Sequence, residues 1–288
     1  MRATLIGLTA ILMWSLLAVL TVATGQIPPF QLAAMTFAMG ACVGPLTWIV
    51  RREAAGSLRQ PLVAWAVGVG GLFGYHALYF LSLRHAPPAE AGLVNYLWPL
   101  LIVLFSAFLP GERLAAHHIV GAVLGLAGTV VLFLGKGLSG FAWEHAPGFL
   151  AAFIAAFLWA IYSVLSRHLK HVPTDAVAGF CAVTAVLAAL CHIMLEKTVW
   201  PETTGQWLAL IALGIGPVGA AFYAWDNGMK RGDIRVLGAA SYATPLLSTG
   251  FLMAAGFAEP TATLAIAALL IAGGGLIAAK DMFVRARA

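Results

Sequence analysis

Apolar runs of about twenty residues, separated by short polar breaks, recur along the whole chain. About twenty residues of α-helix span the hydrocarbon core of a bilayer, and runs of this length do not fit half-buried strands. The pattern predicts helices over Thr4–Thr24, Gln31–Val50, Pro61–Leu81, Ala91–Leu109, His118–Leu134, Pro147–Ser166, Pro173–Leu195, Gln206–Asp226, Val236–Phe257 and Thr263–Ala279. The expected fold is therefore an all-α integral membrane bundle of ten transmembrane helices. Its first run also reads as a signal peptide, with Arg2 as charged start and Ala23 near a cleavage site, but it is long for that purpose. The loops, such as Gly135 to Ala146 and Glu196 to Gly205, are too short to hold a folded domain. Any chemistry must occur inside the bundle or at its mouths.

Composition strengthens this picture. Of 288 residues, 61% are hydrophobic and only 9% charged, where a soluble domain carries about a quarter charged residues. The net charge of +5 does not point to nucleic acid, because the cations sit in short loops and form no basic patch with interleaved aromatics. They act instead as topology signals. With the N-terminus inside, thirteen cations fall on the inner side, from Arg2 and Arg51 through Arg167, Lys230 and Arg235 to Arg287, while only Arg84, Lys136 and Lys197 fall outside. Both termini are expected in the cytoplasm, at a cytoplasmic (inner) membrane. Cys42, Cys181 and Cys191 all lie in apolar runs without metal-site or disulfide spacing.

The chain also aligns with itself at an offset of about 146 residues. Gly68 and Gly70 meet Gly214 and Gly216, Tyr79 meets Trp225, and Tyr96, Pro99, Leu100 and Leu101 meet Tyr242, Pro245, Leu246 and Leu247, while Trp14 meets Trp159 one residue out of step. Two units follow, 1–138 and 139–288. Five helices are an odd number, so the second unit must enter from the opposite side. Inverted repeats of this kind are a hallmark of secondary transporters with a central site.

The run Leu109, Pro110, Gly111, Glu112, Arg113, Leu114, followed by Gly121, Gly125 and Gly128 and echoed from Glu259 to Gly275, resembles the duplicated EamA unit of the drug/metabolite transporter superfamily. The resemblance covers nearly the whole chain. Through the aromatic-rich segments Tyr75 to Tyr79 and Asn95 to Pro99, it is most similar to a branch exporting aromatic amino acids. It implies ten helices, both termini inside, and amino acid efflux.

Candidate transport residues follow from position. Pro99 and Pro245 are expected in the middle of helices, where a proline frees a carbonyl and bends the helix; a hinge is the functional reading and a packing kink the bland one. Around them Tyr75, His76, Tyr79, Asn95, Tyr96, Trp98, Trp159, Tyr162, Ser163, Ser241 and Tyr242 offer flat apolar walls with hydroxyl, amide and indole groups. That set suits an amphipathic solute whose ammonium rests on a ring face. The competing reading is the interfacial belt, which fits Trp48, Trp65, Trp143, Trp200 and Trp207 at helix ends. By the proposed orientation Tyr96 falls in the outer half and Tyr242 in the inner half, toward opposite gates.

No expected helix centre contains Asp, Glu, Lys or Arg, since Glu90, Glu112, Asp226 and Glu259 fall at helix ends. His76 is the one titratable group at depth. Coupling through a buried carboxylate has no visible candidate, and facilitated movement is expected. Gly214, Gly216 and Gly219 match a dinucleotide fingerprint without its strand context, so close helix packing is the better reading. No P-loop occurs. The expected protein is a carrier of amino acids that works as a monomer in the lipid bilayer, with no cofactor, metal or nucleic acid. Efflux of aromatic cations, drugs or other small metabolites is the alternative. A pore lacks its filter, and a membrane enzyme would have only His117, His118 and Glu112 to use.

Overall fold

A hydrocarbon surrounding leaves each backbone amide and carbonyl to find its partner within the protein, and a helix does so within its own segment. The computed structural model describes residues 1–51, 55–111, 114–135, 142–254 and 261–281, and among these every regular element is helical. Eight helices are long and apolar enough to cross a membrane: α1 (Arg2–Ala23), α2 (Pro29–Leu46), α3 (Leu62–His85), α4 (Pro88–Phe108), α5 (Ala116–Leu134), α6 (Trp143–His168), α7 (Thr174–Leu195) and α8 (Thr204–Arg231). Three shorter helices follow, α9 (Ile234–Ala240), α10 (Ala243–Ala254) and the apolar α11 (Ala262–Ala278). Glu112 and Glu259, expected at helix-loop junctions, lie outside the described residues.

Side chains that sequence places at helix starts do the capping. Thr203 accepts from the Gln206 amide at 3.2 Å while the Gln206 side chain accepts from the Thr203 amide at 3.1 Å, a reciprocal box that starts α8. Glu196, from the end of α7, accepts from the amides of Phe30 and Gln31 at 3.1 Å and so satisfies free donors at the start of α2. Gly25, with φ of 81°, takes the left-handed conformation that turns the chain between α1 and α2.

Several helices are interrupted, and the interruptions cluster. Gly70–Gly74 in α3 and Gly216–Ala220 in α8 are π-helical. α4 breaks at Tyr96 and Leu97, and α9 gives way to α10 at Ser241 and Tyr242. Pro99 and Pro245 were expected in mid-helix but instead stand in the first turn after each break. A proline there loses no bond, because first-turn amides have no partner within the helix. The break itself, one step earlier, is where backbone groups are released.

Neighbouring helices pack α5 on α11, α2 on α7, α1 on α8 and α3 on α6. At the first of these the backbones touch. A Cβ on Gly121 would stand 2.5 Å from the Gly274 carbonyl, and one on Gly274 would stand 2.6 Å from the Gly121 carbonyl. In the fingerprint-like tract Gly219 serves the same purpose, since a Cβ there would lie 3.3 Å from Gly40 Cα, and Gly214 packs against the Met39 side chain, whereas a Cβ on Gly216 would meet nothing within 4 Å. Large side chains such as Leu269 (76% exposed) and Ile193 (75%) face outward, a surface stable only against lipid.

Two predictions follow from packing and caps. Gly121→Leu or Gly274→Leu should overpack the α5/α11 contact by about 1–3 kcal/mol and lower the thermal unfolding midpoint in detergent. Gly273→Leu, where a Cβ meets nothing within 4 Å, should leave it unchanged. Asp233, at the start of α9, accepts from the Arg235 and Val236 amides at 3.1 and 3.3 Å and pairs with the Arg235 guanidinium at 3.0 Å. Burial alone would raise its carboxyl, but Arg235 and the two amides outweigh burial and hold it below its ordinary 3.8. Because the folded value is the lower one, its stabilisation is complete above the ordinary value and disappears as acidification passes the folded value. Asp233→Ala should cost about 1 kcal/mol at neutral pH, with the gap to wild type closing at strongly acid pH in thermal melts.

Candidate functional site

The interruptions surround a block of aromatic rings at the centre of the core. Trp14 of α1 lies with its ring 5.0 Å from Trp225, 5.6 Å from Trp159 and 6.5 Å from Trp98. Trp98 in turn stands 5.9 Å from Trp225 and 6.3 Å from Trp159, edge to face. All four indoles are buried. Tyr75 extends the block toward α3, 5.2 Å from Trp159 and stacked on Tyr79 at 6.0 Å. His76 lies 5.0 Å from Phe37 and 6.1 Å from Phe222.

Polar atoms in this block are tied down one by one. The Trp14 indole N–H donates to the Pro217 carbonyl at 3.0 Å, inside the π-helical stretch of α8. The Trp225 indole N–H donates to Ser163 Oγ at 3.1 Å. His76 Nδ1 lies 2.7 Å from the Leu72 carbonyl. A carbonyl only accepts, so Nδ1 carries the proton and Nε2 of the neutral ring is the acceptor end. Asn95 donates from Nδ2 to the Tyr75 hydroxyl at 3.0 Å, whereas its buried Oδ1 has no hydrogen-bond partner. The Tyr162 hydroxyl is likewise buried without one. Unsatisfied acceptors and hydroxyls beside a wall of rings are places for a polar ligand group to bind.

Of the residues singled out from sequence, Tyr75, His76, Tyr79, Asn95, Trp98, Trp159, Tyr162 and Ser163 come together in or against this block. Tyr96, half-buried with its ring 6.0 Å from Phe133, packs against a second cluster around Tyr242, at the edge of the block. Tyr242 and Ser241 do not join it. Tyr242 is fully buried in a separate cluster with Val103, Ala122 and Ile271, and its hydroxyl accepts from the Leu100 amide at 3.2 Å. It thereby links the break before α10 to the restart of α4. Ser241 donates to the Leu237 carbonyl at 2.7 Å. Trp14, Phe37, Phe222 and Trp225 are additional to the expected set. The repeat carries the signal of three of them: Trp14 is the counterpart of Trp159, Trp225 of Tyr79, and Phe222 of His76, whereas Phe37 falls opposite Val183.

One expectation is overturned. α8 does not stop at Asp226 but continues to Arg231, which places a carboxylate and a lysine inside the bundle. Asp226 and Lys230, one turn apart, pair at 2.8 Å with side chains only 2% and 3% exposed. Each neutralises the other, so the helix stays buried past the end of the apolar run. Thr174 donates to Asp226 at 2.7 Å and Lys230 donates to the Val172 carbonyl at 3.0 Å. A second polar node joins other helix ends, where Glu196 binds Arg84 at 3.1 Å and His192 at 3.0 Å, and Arg84 lies 5.8 Å over the Phe30 ring.

His117, His118 and Asp281 also converge, with His117 Nε2 3.3 Å from the carboxylate. His118 Nδ1 accepts the Ala115 amide at 3.1 Å, so its Nε2 bears the proton and points to Asp281 at 3.9 Å. A protonated Nε2 and an Nδ1 already engaged by the Ala115 amide leave His118 no lone pair to ligate an ion, and neither histidine Nε2 completes a hydrogen bond to Asp281.

Comparison with known proteins agrees with this architecture. The chain matches the model of the EamA-like transporter family twice, over residues 1–134 and 146–279. It is 60% identical over 277 residues to the aromatic amino acid exporter YddG of Ancylobacter novellus, covering 96% of each chain. It is 26% identical over 290 residues to the protein of the same name in Escherichia coli, again with 96% of each covered. A solved crystal structure with 58% identity superposes with a TM-score of 0.93 over 97% of both chains. These matches, spanning almost all of a helical chain built to cross a membrane, establish that it belongs to the EamA-like transporter family.

Proposed function

We propose that this protein exports amino acids, aromatic and other neutral ones foremost, across the cytoplasmic membrane by alternating access. The central block of rings around Trp159 carries the reading. An aromatic side chain gains from edge-to-face and stacked contact with Trp98, Trp159 and Tyr75, its ammonium rests on a ring face, and the unpartnered Asn95 Oδ1 accepts from it. The names of the relatives in Ancylobacter novellus and Escherichia coli support the same cargo.

Alternating access rests on ten crossings arranged as inverted halves, with α9 and α10 together forming the ninth and α11 the tenth. Several observations support this. The family model matches twice, and the two π-helical stretches, Gly70–Gly74 and Gly216–Ala220, fall at equivalent positions of the repeat. So do the breaks at Tyr96 and Tyr242. Packing follows the same exchange: α1 on α8 is the counterpart of α6 on α3, while α2 on α7 and α5 on α11 pair equivalent helices. In this reading the halves rock about the ring block, and a single chain is the functional unit.

Aromatic cations and drugs fit less well. The acidic group such cargo needs is present as Asp226, but Lys230 already neutralises it.

Reconstitution tests the reading. Labelled phenylalanine should enter proteoliposomes saturably, and flux should be measured with and without imposed pH and sodium gradients. Absence of flux for every amino acid sinks the exporter reading. Trp159→Ala and Asn95→Ala should each raise the half-saturation concentration by about tenfold, the effect of losing about 1.4 kcal/mol of binding.

A further inference from the structure

The ring block does not account for the most deeply buried charges among the described residues that pair within the bundle. Asp226 and Lys230 line a narrow recess together with Gly68, Tyr162, Ser166 and Phe180. Tyr162 has its hydroxyl buried without a partner, while its ring lies 5.2 Å from Trp159. The Tyr162 side chain therefore reaches from the recess to the ring block. The recess lies at the end of α8 bearing Lys230 and Arg231, beside Arg167, which the distribution of cations places on the cytoplasmic side.

We infer that Asp226 and Lys230 form a second substrate site, an inner station that binds the zwitterionic head group of an amino acid before its side chain reaches the rings. This rests on the exporter reading. A buried ion pair of opposite charges is matched by a ligand that carries the same two charges. The substrate carboxylate takes the place of Asp226 on Lys230, its ammonium takes the place of Lys230 on Asp226, and two ion pairs replace one without net charge entering the bundle. Thr174 Oγ1 and the Val172 carbonyl, now bound to Asp226 and Lys230, remain to hold each side chain during the exchange. The Tyr162 hydroxyl supplies a further polar contact to the arriving head group. A ligand carrying one charge alone breaks the pair and strands a buried ion, which is strongly disfavoured. The station thus selects zwitterions, whereas the ring block selects the side chain.

The test is competition against labelled phenylalanine flux in proteoliposomes by phenylethylamine, which lacks the carboxylate, and 3-phenylpropanoate, which lacks the ammonium. In wild type both should compete at least tenfold more weakly than phenylalanine. Lys230→Met leaves Asp226 to bind an ammonium and should improve phenylethylamine about tenfold relative to phenylalanine. Asp226→Asn should do the same for 3-phenylpropanoate. The neutral double variant Asp226→Asn/Lys230→Met, which leaves no unpaired charge and guards against misfolding of the single variants, should shrink the zwitterion preference against both analogues. Trp159→Ala should weaken all three ligands alike. An unchanged ranking in the folded double variant, or single variants that fail to shift in opposite senses, overturns the inner station while leaving the exporter reading intact. Absence of phenylalanine flux in wild type overturns the exporter reading itself.

Discussion

The structure depends on one constraint: in hydrocarbon no water relieves an unpaired backbone group. Long uninterrupted helices meet it automatically, so every departure from them needs a local remedy. At the π-helical stretch of α8 the remedy is the Trp14 indole, which donates to the Pro217 carbonyl. Where α4 restarts after Tyr96, it is the Tyr242 hydroxyl, which accepts the Leu100 amide. The aromatic residues that form the core therefore also complete the backbone. Packing core and structural repair draw on the same kind of side chain, and the interruptions surround the ring block.

Packing obeys a related economy. Two helices in lipid gain little from burying apolar surface against each other, so they associate through close contact. Gly121 and Gly274 bring α5 and α11 to backbone distance, while the bulky rings collect in the centre between α1, α4, α6 and α8. Small residues at the periphery and large ones in the middle give a rigid frame around an irregular interior.

Hydropathy and charge distribution alone placed most helices within a few residues, because lipid imposes a length on each apolar run. Three features escaped that reading for physical reasons. The end of α8 was drawn at Asp226 because a charge looks like a boundary; only the mutual neutralisation with Lys230, one turn on, lets the helix continue. The prolines marked the broken helices, but the break precedes each of them, since a proline fits a helix start better than its interior. Trp14, Phe37, Phe222 and Trp225 were not assigned to the site, because along a wholly apolar helix no polar face distinguishes the interior from the lipid side. For Trp14, Trp225 and Phe222, their positions as repeat counterparts of Trp159, Tyr79 and His76 held the missing signal; Phe37 had none. Tyr242, by contrast, looked equivalent to Tyr96 in sequence, yet it fills a hydrogen-bonding role in packing.

The paired π-helical stretches also set angular phase. Each accommodates an extra residue, and one residue of α-helix corresponds to about 100° of rotation. In α3 the stretch Gly70–Gly74 lies between Gly68, packed against Phe180, and the Tyr75 to Phe80 face; in α8 its counterpart lies between Gly214 and Trp225. The stretches act as phase shifters that let one helix show a smooth face to its neighbour at one end and a ring-bearing face to the core at the other. Loss of a single residue there would leave every helix in place and the membrane crossed, yet turn the aromatic faces away from the centre. The tolerance for insertions and deletions along this chain should thus be lowest not at the longest helices but at these two short irregular turns.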